Sequence, residues 1–258
     1  MPAMKIYRFK HKDKVQYGIL KEEILIPLKK SLSGTLREGK EEIPIGDVMV
    51  LPPVLPSKIV AVGRNYKEHA DERGQQIPRR PLIFLKPPSA VIGPSDSILY
   101  PDASKRVDYE GELAFVIKKK AWKLEDNAVA DDYILGYTCM NDVTARDLQD
   151  KDGQWTRAKS FDTFAPIGPC IATDVDPSRL KIKTFLNGKL RQSGNTANMI
   201  FPVPALLRYI SHVMTLLPGD VITTGTPSGV GPMSPGDRVD VQIEGIGTLS
   251  NRVMRVKS

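Results

Sequence analysis

Cysteine and histidine are scarce in this sequence. It contains two cysteines, Cys139 and Cys170, and three histidines among 258 residues. Two cysteines so far apart make no disulfide framework and have no spacing typical of metal ligands. The chain is therefore expected to be a reduced protein, and a cytoplasmic location is the default expectation.

Long apolar runs are also absent. The opening stretch MPAMKIYRFK lacks the apolar core of a signal peptide, and no later stretch is long enough to cross a membrane. Net charge is +7 and the isoelectric point is about 9.3, which could suggest a nucleic-acid partner. The basic residues are scattered, however, and no nucleic-acid-binding motif accompanies them. We therefore expect neither a membrane nor a nucleic acid as partner.

Strand signals dominate what is present. Residues 1–52 contain three of them, MKIYRFKH, VQYGILK and EEILIPL, and the proline-rich stretch LPPVLPSK at 51–58 reads as a linker. The pattern predicts a small β-rich N-terminal domain at 1–52 and a second domain at 53–258. The second part alternates strand signals with Pro/Gly turns, and LKIKTFLNGKL at 180–190 is one of these signals.

Helical signals are few. The stretch PVPALLRYISHVMTLL, from Pro202 onwards, carries apolar residues at helical spacing, and TARDLQDK and NYKEHADERG predict two short helices. Because strands are many and no run of βαβ units appears, the fold class predicted is mixed and predominantly β.

The stretch DYEGELAFVI at 108–117 raises a question about charge. In a strand, Glu110 and Glu112 share one face with Ala114 and Val116, and like charges so close repel each other. Either both acids are solvated, or a cation lies between them. Mg²⁺ or Mn²⁺ would suit such oxygen ligands. Asp142, which follows an apolar strand, is a candidate third ligand, although an aspartate there can equally be a helix N-cap.

Three further stretches carry possible site residues. His69 and Glu72 are three apart, hence neighbours on a helical face, and a carboxylate beside an imidazole makes a general base. Lys159 is either an ordinary exposed lysine or a fixed charge for an anionic substrate. The turn TTGTPSGVG at 223–231 can expose backbone N–H groups to carboxylate oxygens, but it is equally consistent with a plain set of turns.

Taken together, five motifs resemble one family. GRNYxxHxxE, YEGELAxVI, NDVTARDxQ, AKSFDTFAPIGP and TGTPxGVG occur in the order typical of the fumarylacetoacetate hydrolase family, over residues 55–255. The resemblance implies a mixed β-roll core and a homodimer. It assigns residues by motif: metal ligands at Glu110, Glu112 and Asp142; catalytic residues at His69, Glu72 and Lys159; substrate contacts at Arg146, Gln149, Gly225 and Thr226; and a position near the metal at Thr163.

The resemblance also implies a reaction. It is closest to the acylpyruvase and oxaloacetate decarboxylase branch, in which Mg²⁺ or Mn²⁺ supports hydrolysis or decarboxylation of a small anionic 2-oxo acid through a metal-bound enolate. Isomerisation of 2-hydroxyhepta-2,4-diene-1,7-dioate or 5-carboxymethyl-2-hydroxymuconate is the alternative. A tyrosine that fumarylacetoacetate enzymes carry after the Gln149 position is absent, and so is a clear match to an upstream acidic ligand. Both departures argue for a smaller substrate than fumarylacetoacetate.

Two expectations complete the interpretation. The polar segment DERGQQIPRR at 71–80 is expected to act as a lid that closes over substrate. A basic binding protein without catalytic activity, whose acids are simply solvated, is the competing hypothesis, and it predicts salt-sensitive binding to polyanions.

Overall fold

The chain is described by a computed structural model over residues 3–29, 32, 36–68 and 76–255. Strand is the predominant secondary structure of the described residues, which confirms the predicted fold class. Three α-helices lie wholly within these ranges: α1 Arg146–Asp152, α2 Thr156–Lys159 and α3 Val203–Val213. The strands there are β1 Lys5–His11, β2 Lys14–Lys21, β3 Ile24–Pro27, β4 Ile43–Pro44, β5 Met49–Leu51, β6 Ile59–Gly63, β7 Leu82–Lys86, β8 Val91–Ile92, β9 Ser97–Tyr100, β10 Val107–Tyr109, β11 Gly111–Ile117, β12 Ile134–Asn141, β13 Thr144–Ala145, β14 Ala165–Ala172, β15 Lys181–Leu186, β16 Lys189–Asn195, β17 Val221–Thr223, β18 Gly231–Met233, β19 Arg238–Ile243 and β20 Gly247–Arg255.

Three sheets organise these strands. The largest has the order β4-β3-β2-β1-β14-β12-β11-β17-β6-β7, with β5 beside β1 and β8 beside β14. The second is β13-β10-β18 and the third is β16-β15-β19-β20-β9. Most neighbours are antiparallel, but three pairs are parallel: β17 with β6, β20 with β9 and β14 with β8. Mixed sheets of this kind agree with the predicted architecture.

The N-terminal strands continue the large sheet. β1 pairs antiparallel with β14, so that Lys5 faces Ala172 and Ile6 faces Ile171. The strands before residue 52 therefore share a sheet with later ones, and the division at 52/53 stays a prediction.

The centre of the core is β11, which is buried along its whole length. Leu113, Phe115 and Ile117 contact one hydrophobic cluster, whereas Ala114 and Val116 contact another on the opposite side. A strand buried on both faces reads as a continuous apolar run, as GELAFVI does after its glutamate.

Two details differ from, or add to, the sequence prediction. Residues 181–195 form a hairpin of β15 and β16, and its turn residues Asn187 and Gly188 have φ of 52° and 75°. Asn-Gly favours such a two-residue turn, so LKIKTFLNGKL is a strand, a turn and the start of a second strand.

The helix predicted from Pro202 onwards is confirmed as α3. None of the helices in the described ranges is long and apolar enough to cross a bilayer.

Candidate metal and substrate site

Three carboxylates from two chain segments meet at one end of the large sheet. One oxygen each from Glu110, Glu112 and Asp142 lies within 4.8 Å of the other two, and all three residues are buried. Glu112 lies in β11, Glu110 in the break between β10 and β11, and Asp142 directly after β12. We call these three residues the acid triad. Their convergence excludes the interpretation that the acids are simply solvated.

Backbone pairing explains the convergence. β11 and β12 are antiparallel neighbours, so the start of one lies beside the end of the other. The amide of Asp142 donates to the carbonyl of Glu110 at 2.8 Å, and the amide of Glu110 donates to Asn141 Oδ1 at 2.9 Å. The N-cap of α1 is Ala145, so the N-cap interpretation of Asp142 is wrong.

The environment of Glu112 acts against its charged form. Burial raises its pKa well above the ordinary value, and the charges of Asp142 and Glu110 raise it further. Two hydrogen bonds act in the opposite direction on Oε2, one from the Thr223 hydroxyl and one from the Gly225 amide at 2.9 Å. A cation between the acids would offset both causes of the raised pKa.

Two buried lysines balance part of the charge of the triad. Lys159 Nζ lies 2.8 Å from Glu110 Oε2 and 2.5 Å from Asp142 Oδ2, so the interpretation of Lys159 as an exposed lysine is wrong. Lys86 Nζ lies 2.5 Å from Asp142 Oδ1 and also donates to the Val143 carbonyl. Burial lowers the pKa of Lys86. Burial also acts against the charge of Lys159, but Asp142 and Glu110 outweigh it and raise that pKa.

Lys86 was missed by the sequence analysis. It ends the apolar strand signal PLIFLK, where a lysine usually marks the solvated end of a strand. In the structure it is 1% exposed. A charged residue at the end of an apolar run is a weak signal, since burial of that residue depends on which element covers it.

Arg146 and Gln149 lie on α1 beside the triad. Arg146 Nε donates to Asp108 Oδ2 at 2.9 Å, and the guanidinium also contacts Glu110 and Gln149. Burial acts to lower the pKa of Arg146, but Glu110 and Asp108 together raise it, so the guanidinium stays charged. Both residues line the cavity described below, and their role as substrate contacts stays a prediction.

The turn at 224–226 lies next to Glu112 of the acid triad. Gly225 has φ of +87°, and a Cβ there would lie 2.9 Å from the Asn65 Cβ, so both the conformation and the space require glycine. Thr226 donates to the Gly111 carbonyl at 2.9 Å and accepts from Gln192 Nε2 at 2.8 Å. The turn is thereby fixed against β11.

A cavity of about 230 Å³ opens onto the triad. Ligand cavities are commonly larger, on the order of 300–1,000 Å³, so this one suits a small acid. Besides the acids, the charged residues on its wall are Arg64, Arg146 and Lys159, with Asp150 at an exposed position. Phe84 and Trp155 form an aromatic side, with ring centroids 5.2 Å apart in an edge-to-face arrangement.

Some predicted residues do not enter this site. His69 and Glu72 lie outside the described residues, and so do residues 71–75 of the expected lid. Thr163 is absent from the described wall of the cavity, and its hydroxyl accepts from the Leu99 amide at 2.8 Å. Among the histidines without a predicted role, His212 is also absent from the described wall, and its Nε2 lies 2.9 Å from the Leu124 carbonyl.

The donor set fits a hard divalent cation. Three buried carboxylates, in or next to two paired strands, offer oxygen ligands, and two lysines and an arginine contact the oxygens of Glu110 and Asp142. Mg²⁺ and Mn²⁺ prefer such oxygen ligands and leave positions free for a substrate. The triad would hold the ion.

Family profiles match nearly the whole chain. The family described as fumarylacetoacetate (FAA) hydrolase C-terminal matches residues 58–254, and the family described as Rv2993c-like, N-terminal matches residues 4–53.

Related proteins extend this match. An uncharacterised protein of Archaeoglobus fulgidus is 58% identical over 83% of this chain and 86% of its own length. Oxaloacetate tautomerase YisK of Bacillus subtilis is 44% identical over 77% of this chain and 70% of its own length. Oxaloacetate tautomerase Fahd2a of Rattus norvegicus, a mitochondrial protein, is 42% identical over 82% of this chain and 71% of its own length.

Solved structures share the whole architecture. A 2-hydroxyhepta-2,4-diene-1,7-dioate isomerase from Mycobacterium marinum has a TM-score of 0.92 and 45% identity, covering 99% of this chain and 100% of its own. A maleylpyruvate hydrolase from Sphingobium, in complex with manganese(II) and pyruvate, has a TM-score of 0.81 and 30% identity, covering 98% of this chain and 100% of its own.

Proposed function

Because the chain belongs to the fumarylacetoacetate hydrolase family, we propose that it is a divalent-metal-dependent enzyme whose reaction is keto–enol tautomerisation of oxaloacetate. The observation that carries the proposal is the acid triad, buried at the end of a small cavity together with Lys159. Two tautomerases of oxaloacetate at 42% and 44% identity support the choice of reaction.

The charges of the site favour an anionic 2-oxo acid. A divalent cation held by the triad would supply Lewis-acid polarisation of a bound 2-oxo group. Three carboxylates and such a cation sum to a formal charge of −1, which by itself repels a dianion. Lys159 and Arg146 offset this charge from inside the cavity wall.

Tautomerisation also needs a group that moves a proton at the carbon beside the 2-oxo group. We assign that role to His69, with Glu72 as the carboxylate that orients it, on the sequence pattern alone. Gln149 and Thr226, which line the cavity, are assigned to the substrate carboxylate next to the 2-oxo group. The amide of Gly225 is bonded to Glu112, so we assign Gly225 to positioning that acid instead. The family resemblance further suggests that the enzyme works as a homodimer.

Cleavage of a C–C bond is the second candidate function. Hydrolysis of an acylpyruvate and decarboxylation of oxaloacetate both pass through the enol form of a 2-oxo acid, so the same residues would serve them. The similar hydrolase solved with manganese and pyruvate favours this candidate. Isomerisation of a 2-hydroxydienoate, like tautomerisation, moves one proton between an enol and a carbon atom. The structurally similar isomerase from Mycobacterium marinum supports this reaction as a further alternative.

The test separates these reactions by their products. Oxaloacetate enol is mixed with the protein and Mg²⁺ or Mn²⁺, and loss of enol absorbance is followed with and without EDTA. We expect faster conversion to the keto form that EDTA abolishes, with no pyruvate formed. Pyruvate from oxaloacetate would instead indicate decarboxylation, and pyruvate from acetylpyruvate would indicate hydrolysis. No acceleration with either metal would contradict the tautomerase.

A further inference from the structure

Arg64 differs from the other cations that line the cavity. Lys159 is paired with Glu110 and Asp142, and Arg146 is paired with Asp108 and Glu110. Among the carboxylates of the described residues, none forms an ion pair with Arg64. Its guanidinium carbon instead lies 5.9 Å from the centroid of the Trp155 ring.

The backbone at Arg64 is held in a costly conformation. Its φ is +57°, in the left-handed region that a residue with a side chain seldom adopts. Such conformations persist only where the surrounding structure fixes them, and they cluster at functional sites. The conformation here aims a long basic side chain at the aromatic wall of the cavity.

Both neighbours of Arg64 show how it is fixed. A Cβ on Gly63 would lie 2.7 Å from the Trp155 ring, so the indole packs directly on the backbone before Arg64. Asn65 is fully buried and donates to the carbonyls of Phe201 and Thr224, at 3.0 and 2.8 Å. The Phe201 amide returns a hydrogen bond to Asn65 Oδ1 at 2.8 Å. Arg64 is therefore anchored on both sides.

A guanidinium within cation–π range of an indole can still receive an anion. The contact with the ring uses no N–H group, so the N–H groups of Arg64 can bind a carboxylate in bidentate fashion. Trp155 is itself braced by Phe84. This wall needs little reorganisation to accept a ligand.

The two carboxylates of the proposed substrate suggest what Arg64 binds. If the 1-carboxylate and the 2-oxo group of a four-carbon dicarboxylate face the triad, the second carboxylate faces the remaining wall. Arg64 is the wall cation there that has no carboxylate partner within the described ranges. Asp150, on the same wall, would otherwise repel a second carboxylate.

We propose that Arg64, which lies over the Trp155 ring, binds the distal carboxylate of a 2-oxo dicarboxylate and so selects dicarboxylates over 2-oxo monocarboxylates. The inference rests on the proposed function in one respect, since it takes the triad as the end that receives the 2-oxo acid group. According to this inference, Arg64 determines which class of 2-oxo acid the site accepts.

Binding of stable analogues tests this without turnover. L-Malate and L-lactate present the same 2-hydroxy acid group, but only malate carries a distal carboxylate. Calorimetry with Mg²⁺ should show that the wild type prefers malate, and that Arg64→Gln weakens malate binding by about 10- to 100-fold, the range for a lost charged hydrogen-bond pair. Lactate binding should change by less than about threefold, and Arg64→Lys should fall between.

Controls separate the possible failures. Arg179→Gln, a matched change at an arginine paired with Asp176 on the surface, should leave both affinities unchanged. Equal losses for malate and lactate in Arg64→Gln, or no loss for either, would overturn the role of Arg64. If the wild type does not tautomerise oxaloacetate but its malate preference depends on Arg64, the proposed reaction fails and the inference stands.

Discussion

Buried carboxylates occur in two regions of the described fold, and their surroundings differ. Asp220 is fully buried, and its two oxygens accept hydrogen bonds from the amides of Ser57, Lys58 and Leu217, from the Ser57 hydroxyl and from the Lys58 ammonium. The acid triad instead places three carboxylates within 4.8 Å of one another. Asp220 has only donors around it, whereas each acid of the triad, although it also accepts hydrogen bonds, lies close to two like charges.

The difference separates a structural acid from a site. A buried carboxylate that receives several hydrogen bonds keeps its charge at little cost and ties distant segments together. Asp220 ties the linker before β6 to the loop before β17. Converging carboxylates with a raised pKa at Glu112 store unfavourable electrostatic energy, which is released when a cation binds. Buried acids therefore indicate a cation site where several of them converge, even though donors of the fold contact each one.

The largest expected effect concerns the triad. Glu112→Gln should reduce metal-dependent activity by roughly 10³-fold, because Lewis-acid stabilisation is worth several kcal/mol and about 1.4 kcal/mol corresponds to a factor of ten. The measurement is the tautomerase rate at saturating Mg²⁺, together with the Mg²⁺-induced rise in melting temperature, which should disappear.

A stability control accompanies that variant. In EDTA, Glu112→Gln should melt at a higher temperature than the wild type, because it removes a buried charge that faces two like charges. A lower melting temperature would mean that Glu112 stabilises the metal-free fold, and the contrast with Asp220 would be lost.

The second prediction concerns the structural acid. Asp220→Ala should destabilise the protein by about 3–5 kcal/mol, since it leaves Lys58 and several backbone donors without their partner. For a chain of this size that corresponds to a fall in melting temperature of roughly 6–20 °C. Mg²⁺ affinity, measured by calorimetry on the folded protein, should not change. Asp176→Asn, at an exposed acid bonded to Ser178, is the control and should change the melting temperature little.

The smallest expected effect compares the two lysine partners. Lys86→Met leaves Asp142 with one buried partner fewer and should cost roughly 1–3 kcal/mol in EDTA. Mg²⁺ should recover part of this loss, so the Mg²⁺-induced shift in melting temperature should exceed that of the wild type. Lys58→Met, which weakens the Asp220 contact, should show the wild-type shift. Equal shifts in the two variants would indicate that no cation binds beside Asp142.

Much of the fold was predictable from local patterns. The buried strand at 111–117, the helix at 203–213 and the short helix after Ala145 follow from periodicity and from turn residues, which act within a few residues of the chain. For the hairpin at 181–195, the sequence predicted strand structure but not the division into two strands. Its Asn187-Gly188 turn was visible, but the strand pattern on either side continues without interruption.

Part of the candidate site was predictable as well. Glu110, Glu112, Asp142 and Lys159 were identified by spacing and by resemblance, and the structure brings them together. Lys86 and Arg64 were not assigned any role. Each of them reaches its partner across more than 50 residues, and nothing in the local sequence reports which strand or loop will cover it.

The sequence by itself determined the fold class, the family and the acids that lie on one side of β11. Periodicity decides which face of a strand a side chain occupies, and motif order decides the family. Only the tertiary structure decided that Lys86 is buried against Asp142 and that the Arg64 guanidinium lies over the Trp155 ring. The order of strands in a sheet sets these contacts, and that order minimises the free energy of the whole chain rather than of any one segment.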